Sequence, residues 1–251
     1  MKIALCGLGK AGTEFIRYLL NAPDCRDDEL TAVLCRSTSP TLGKTVAETT
    51  KIILPEDLTI VSVENFDAAA LPADKRPDVI IDFSASETTF KLLDLCARQK
   101  IRLVICPNDF SAAQMERMKE ITESSGIGVV YAPTLTPGVN LLINFVEHFS
   151  RAFPDFNFEI VEKHSRHKKK PSRTAEYIGE AIQRDNVPIH SLRLDGYTGI
   201  HEATATDGLE RITIEHESLS RAAFARGALY AARFIQGKSG FYTLKEIFKN
   251  S

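Results

Sequence analysis

Lys2-Ile3-Ala4-Leu5-Cys6-Gly7-Leu8-Gly9-Lys10-Ala11-Gly12 stands at the start of the chain, and its reading decides the fold. A short apolar run breaks into three glycines and then into residues with helical spacing, Gly12 to Asn21. A glycine pattern of this kind carries meaning only between a first strand and a helix, and that is where it lies. Gly7 permits the tight turn, Gly9 lets the backbone approach a pyrophosphate, and Gly12 allows helix to pack closely on strand. Lys10 and Ala11 put backbone N–H groups at the helix start, where an anion is stabilised. The expected ligand is a dinucleotide; the competing reading is a plain strand-to-helix turn.

Outward from that turn, apolar strands and helices alternate as far as Pro133. Strands are predicted at Ile3–Cys6, Thr31–Cys35, Thr59–Ser62, Val79–Phe83, Leu103–Ile105 and Gly128–Tyr131. Helices are predicted at Gly12–Asn21, Glu87–Gln99 and Ala112–Ser124, and the Thr-rich stretch Ser37–Glu56 reads as loop and short elements. Such alternation predicts an α/β chain with a doubly wound parallel Rossmann-type sheet. At Thr136-Pro137-Gly138 the pattern changes. A helix at Val139–Phe153 leads to strands at Asn157–Val161, Ser191–Asp195, Ile200–Thr206 and Arg211–Glu217, with a helix at Thr174–Arg184 crossing between the first two. This is expected to be a second, α+β domain on an open mixed sheet. A small-residue helix at about Ser220–Gln236 returns to pack on the first domain. The expected division is therefore residues 1–133 plus about 222–251 for the dinucleotide, and 134–221 for substrate binding and oligomerisation.

With 31 Lys+Arg against 33 Asp+Glu the net charge is only -2, so the whole-chain field argues for neither nucleic acid nor an anionic membrane as partner. No run approaches the roughly 20 apolar residues of a membrane span, and Met1-Lys2 leads into a strand rather than a signal peptide, so a cytoplasmic location is expected. The 5 cysteines, Cys6, Cys25, Cys35, Cys96 and Cys106, lack CxxC spacing and read as buried reduced thiols. No metal is indicated, because His164 and His167 have no thiolate or carboxylate at ligand spacing.

Four segments carry candidate chemistry. After the second strand, where an NAD-selective site places Asp or Glu, the chain has Cys35-Arg36-Ser37; a cation and a hydroxyl suit a 2′-phosphate, so NADPH is expected, with NADH the alternative. Phe83 and Ser84, in Asp82-Phe83-Ser84-Ala85-Ser86-Glu87, end the fourth strand beside the ligand crevice, although Ser84 or Ser86 as N-cap with Glu87 in the first turn explains them equally. Cys106 and Asn108, in Cys106-Pro107-Asn108-Asp109, lie on the same edge, with Asp109 a possible helix cap. The run Lys163 to Arg173 gathers Arg166, Lys168, Lys169, Lys170 and Arg173 without an acid. Lys169 and Lys170 read as a solvated face. His164 and Lys168 follow a strand that fixes their direction, and His164 has the side-chain type whose unperturbed pKa lies near neutrality, which suits proton donation. Ser172 and Thr174 offer hydroxyls and helix-start N–H groups to a carboxylate. The combination suggests a nicotinamide-dependent reductase of a small anionic substrate.

Nearly the whole chain resembles the dihydrodipicolinate reductase family, through GLGKAG at 7–12, IIDFS at 80–84, PGVNLL at 137–142, EIVEKHSRHK at 159–168, PSRTA at 171–175, GIH at 199–201 and SRAAFARGALYAARF at 220–234. The resemblance implies a two-domain NAD(P)H-dependent reductase of lysine and diaminopimelate synthesis, commonly a homotetramer built through the second domain's sheets. It places the catalytic His at His164, the catalytic Lys at Lys168 and carboxylate contacts at Ser172 and Thr174. The loops also depart from the family. His164-Ser165 replaces two adjacent His, Arg173 replaces Gly in a segment one residue shorter, Cys106-Pro107-Asn108-Asp109 replaces Gly-Thr-Thr-Gly, and Thr134 replaces Asn. Ser165 and Arg173 join the expected substrate contacts on this basis. Two further readings stay open, a divergent paralogue reducing another imine or keto acid, and a catalytically silent NADPH-binding regulator.

Overall fold

The computed structural model describes residues 1–248. In chain order the elements are β1 Lys2–Cys6, α1 Lys10–Asn21, β2 Glu29–Cys35, α2 Val46–Thr50, β3 Ile60–Ser62, β4 Val79–Asp82, α3 Ser86–Gln99, β5 Arg102–Ile105, α4 Ala112–Ser125, β6 Gly128–Tyr131, α5 Pro137–Ala152, β7 Asn157–His164, α6 Arg173–Ile182, β8 Ile189–Arg193, β9 Ile200–Thr206, β10 Arg211–Glu217, α7 Ala222–Phe234, β11 Gly240–Thr243 and α8 Leu244–Ile247. They form two compact units, Met1–Pro133 with Phe224–Leu244, and Thr134–Ala223 with the described residues 245–248.

The first unit is a seven-stranded parallel sheet in the order β11-β6-β5-β4-β1-β2-β3. Strand order reverses between β1 and β4, so the loops leaving those two strands open a crevice at their carboxyl ends. Val79, Ile80, Ile81, Leu103, Val104 and Ile105 are fully buried, as continuous apolar runs are when helices cover both faces of a sheet. The doubly wound sheet thus follows the predicted alternation. β11 was not predicted, because Gly240–Thr243 is short and half-buried and pairs only with β6, an edge strand without it. Within the polar 37–56 stretch, α2 forms on a capping box in which Thr45 and Glu48 satisfy each other's backbone N–H groups.

The second unit holds a four-stranded mixed sheet in the order β10-β9-β7-β8, with β7 and β8 parallel and joined by the α6 crossover. α5 and α6 cover one face, where Val139, Leu142, Ile143, Val146, Ile178 and Ile182 meet Phe158, Ile160, Ala203 and Ala205. β7 runs three residues beyond its predicted end and alternates strictly, with Phe158, Ile160, Glu162 and His164 on the buried face. At the start of α5, buried Asn140 donates to the carbonyls of Thr134 and Thr136 and so fixes the turn that begins this unit. Among the described residues, no helix is long and apolar enough to cross a membrane.

Candidate functional site

The crevice of the first unit holds a cavity of about 340 Å³ lined by Gly7, Leu8, Gly9, Cys35, Arg36, Ser39, Thr41, Phe83, Ser84, Ala85 and Thr88. Its shape depends on glycine. Gly7 has φ +95, and a Cβ there would lie 2.8 Å from the Phe83 carbonyl oxygen. A Cβ on Gly12 would lie 2.0 Å from the Gly7 carbonyl oxygen, so α1 can begin this close to β1 only with hydrogen at that position. Gly9, by contrast, faces open space. It is also the N-cap of α1, without a side-chain cap bond and with no acid in the first turn. The N–H groups at the start of α1 are therefore left for an anion, as a pyrophosphate requires.

Below this cavity, fully buried Asp82 accepts from the Ser84 N–H at 2.8 Å and from the Thr89 hydroxyl at 2.6 Å. Burial pushes its carboxyl up to about 6 despite these bonds. Asp82 thus holds the 83–85 turn in place. Neither Ser84 nor Ser86 caps α3, contrary to expectation: the N-cap is Ala85, while Ser84 turns to Asp82 and Ser86 donates to Asp109 at 3.2 Å. Asp109 does not cap α4 either; Ser111 does, in a capping box with Gln114.

Other cofactor candidates fall differently. Arg36 stands exposed on the cavity wall, but the Ser37 hydroxyl turns to Glu64 at 3.4 Å, and Ser39 and Thr41 take its place in the lining. Sequence reasoning missed both because their stretch has no periodicity. Lys10 and Ala11 lie in the first turn of α1, available through their backbone rather than as cavity lining. Cys106 and Asn108 follow β5 outside the lining, the first donating its N–H to the Asp82 carbonyl and the second its amide to the Pro133 carbonyl at 3.4 Å.

In the second unit, His164 ends β7 and is 8% exposed, with Nδ1 hydrogen-bonded to fully buried Glu162. Burial lowers its pKa below the usual 6.5, opposed by Glu162 and reinforced by Lys168 and Arg193. Glu162 is held down to about 2 against its burial by the paired Arg193 guanidinium, 2.6 and 2.9 Å from its two oxygens, and by Ser191 and His164. The His201 ring crosses that of His164 edge-on, centroids 5.0 Å apart. Burial, with His164 next, lowers His201 to about 3, so it is neutral.

Ser172 is the N-cap of α6. Its hydroxyl accepts from the Ala175 N–H and lies 3.2 Å from His201 Nε2, and its own N–H donates to Glu162 at 3.3 Å. Thr174 follows, half-buried in the first turn. Ser165 and Lys168 are exposed and close a turn in which the Lys168 N–H donates to the Ser165 carbonyl. Arg173 is not directed at this loop as expected. Its guanidinium lies over Tyr177 and bonds Glu176 and Glu180 at 2.9 and 3.2 Å, because a helical residue meets those three and more positions further on. His201 lies in β9 and supports Ser172, as expected of a histidine in a strand pattern with a structural role. Glu162 and Arg193 were missed, although Glu162 left a signal: it interrupts the apolar face of a strand whose alternation is plain from Phe158 onward.

Comparisons with known proteins agree over both units. Residues 1–135 match the family model described as dihydrodipicolinate reductase, N-terminus, and residues 138–248 the model described as dihydrodipicolinate reductase, C-terminus. A 4-hydroxy-tetrahydrodipicolinate reductase of Nitrosospira multiformis is 32% identical over 98% of this chain and 97% of its own length. One of Thermosipho africanus is 37% identical over 70% of this chain and 80% of its own. A dipicolinate-bound dihydrodipicolinate reductase from Paenisporosarcina sp. TG-14 superposes with a TM-score of 0.79, covering 98% of this chain and 99% of its own; at 23% identity it attests the fold. An amine dehydrogenase from Mycobacterium smegmatis superposes with a TM-score of 0.66 at 11% identity, covering 98% and 95%.

Proposed function

Since the chain belongs to the dihydrodipicolinate reductase family, an NAD(P)H-dependent oxidoreductase group, we propose that it reduces the C=N bond of a cyclic imine carboxylate, the reaction class of 4-hydroxy-tetrahydrodipicolinate reduction. The observation that carries this reading is the buried His164–Glu162 pair ending a strand beside a cationic turn and the Ser172-capped start of α6. The nicotinamide supplies hydride when bound. Gly7, Gly9 and the first N–H groups of α1, those of Lys10, Ala11 and Gly12, would hold the dinucleotide's pyrophosphate, and Phe83 and Ser84 wall the crevice. His164, with Nδ1 committed to Glu162, uses Nε2 to deliver the proton. Lys168 stabilises negative charge on the substrate. Neutral His201 donates its Nε2 proton to the Ser172 hydroxyl, which frees the serine proton for a substrate carboxylate bound also by Thr174 and the α6 N–H groups.

Arg36, with the hydroxyls of Ser39 and Thr41, favours the 2′-phosphate of NADPH over NADH. Arg36→Ala is expected to raise KM for NADPH about tenfold, the scale of one charged hydrogen bond at an exposed site, while KM for NADH stays unchanged. Equal effects on the two would remove the phosphate role. A homotetramer, implied by the family resemblance, and the cytoplasmic location expected from the sequence complete the reading.

Dihydrodipicolinate formed in situ should be reduced with kcat/KM at least tenfold above any pyrroline or piperideine carboxylate of a comparison panel. A reversed order would establish the divergent paralogue, which the altered loops at 106–109 and 169–173 favour. Cofactor binding with no oxidation by any substrate would establish the silent regulator.

A further inference from the structure

Arg193 uses every donor it has. Its side chain is 5% exposed, and its five guanidinium N–H groups have five acceptors. Nη1 donates to Glu162 Oε2 at 2.9 Å and to the Leu192 carbonyl at 2.8 Å. Nη2 donates to Glu162 Oε1 at 2.6 Å and to the Lys169 carbonyl at 2.6 Å, and Nε to the Lys168 carbonyl at 3.0 Å. Glu162 is equally committed: Oε2 serves His164 Nδ1 and Arg193, and Oε1 serves Arg193 and the Ser172 N–H. No acceptor or donor of this pair is left for a ligand, so neither side chain is a substrate contact.

A buried ion pair is a poor stabiliser, because desolvation offsets most of its attraction and an apolar pair of the same volume does as well. What an apolar pair cannot do is set the direction of an imidazole, a turn and a helix start together. We propose that Glu162, fixed by Arg193, is the positioning residue of this site: one carboxylate orients the His164 ring, anchors the start of α6 at Ser172, and through Arg193 holds the backbone of Lys168 and Lys169. The proposal rests on His164 being the proton donor. It adds that His164, Lys168 and Ser172 are not independently placed, and that a planar, five-donor guanidinium is required where Lys would leave carbonyls unpaired.

The charged and titratable groups facing His164 are Glu162 on its own strand, Lys168 from the following turn, Arg193 from β8, and neutral His201 from β9. Of these only Glu162 favours imidazolium. Loss of its charge therefore lowers the His164 pKa further, and activity that needs the protonated ring falls off at lower pH.

The test compares Glu162→Gln, Arg193→Lys, His164→Ala and the Glu162→Gln/His164→Ala double variant of the full chain. Glu162→Gln is expected to lower kcat about 10²-fold with the NADPH dissociation constant unchanged, and to move the alkaline limb of the kcat profile to lower pH. The double variant should be no slower than His164→Ala, because both changes remove one function. Arg193→Lys should keep the charge yet lose at least tenfold in kcat. Additive losses, or a Glu162→Gln profile with an unmoved limb, would overturn the proposal and leave His164 as proton donor. Should His164→Ala keep full kcat, the reading beneath the proposal fails instead. A second measurement needs no variant at Glu162: proton NMR of the wild-type chain should show one low-field, exchange-protected ring N–H assigned by its loss in His164→Ala. Its absence from the folded wild type would sink the proposal.

Discussion

His164→Ala is expected to lower kcat by about 10²- to 10⁴-fold, the usual contribution of a positioned general acid, and to leave the NADPH dissociation constant within twofold. The two expectations separate because His164 belongs to the mixed-sheet unit, whereas the glycine turn and the cavity behind it belong to the parallel-sheet unit. The wild-type pH profile carries a second sign. A proton donor must begin protonated, and burial sets the free-enzyme His164 pKa below 6.5, so kcat/KM should decline as pH rises through a value under 6.5. In His164→Ala that limb should vanish along with the rate. Steady-state kinetics from pH 5 to 9, with NADPH binding followed by fluorescence, read both; a variant turning over at the wild-type rate would remove His164 from the mechanism.

Gly12→Ala should be the most damaging substitution in the first unit. The added carbon would sit 2.0 Å from the Gly7 carbonyl oxygen, backbone against backbone, so no side-chain rotation relieves it. Overpacking of this kind costs about 3 kcal/mol, which for a chain of this size lowers the melting temperature by roughly 6–12 °C. The start of α1 must also swing away from the turn, and NADPH affinity should fall more than tenfold. Gly9→Ala is the informative contrast. Its Cβ meets nothing within 4 Å, so stability should hold while the methyl group obstructs the pyrophosphate. Thermal melts with and without NADPH distinguish the two. A Gly12→Ala melt superimposable on the wild type would show that the helix-to-turn contact does not constrain this fold.

The parallel sheet was legible because each of its main strands is an apolar run between turn residues, and a run buried on both faces needs no partner to be recognised. Strand β11 was not, since Phe241 and Tyr242 acquire their place only by pairing with β6. Side-chain direction failed in the same way. Ser37, Ser84, Ser86 and Arg173 are short-range puzzles in which a local cap, a distant carboxylate and a ligand are equally good partners on paper. Glu64, Asp82, Asp109, Glu176 and Glu180 took them in the folded chain.

What the sequence by itself determined is the pair of units, the glycine turn and the strand that delivers His164. Periodicity, turn chemistry and the order of glycines are properties of neighbouring residues, and neighbours are what a sequence records. Only the tertiary structure decided that Glu162, Arg193, Ser172 and His201 form one buried network around that histidine. They come from β7, β8, the start of α6 and β9, up to 39 positions apart, and only the pairing of those strands with α6 returning beside them brings their side chains within hydrogen-bond reach.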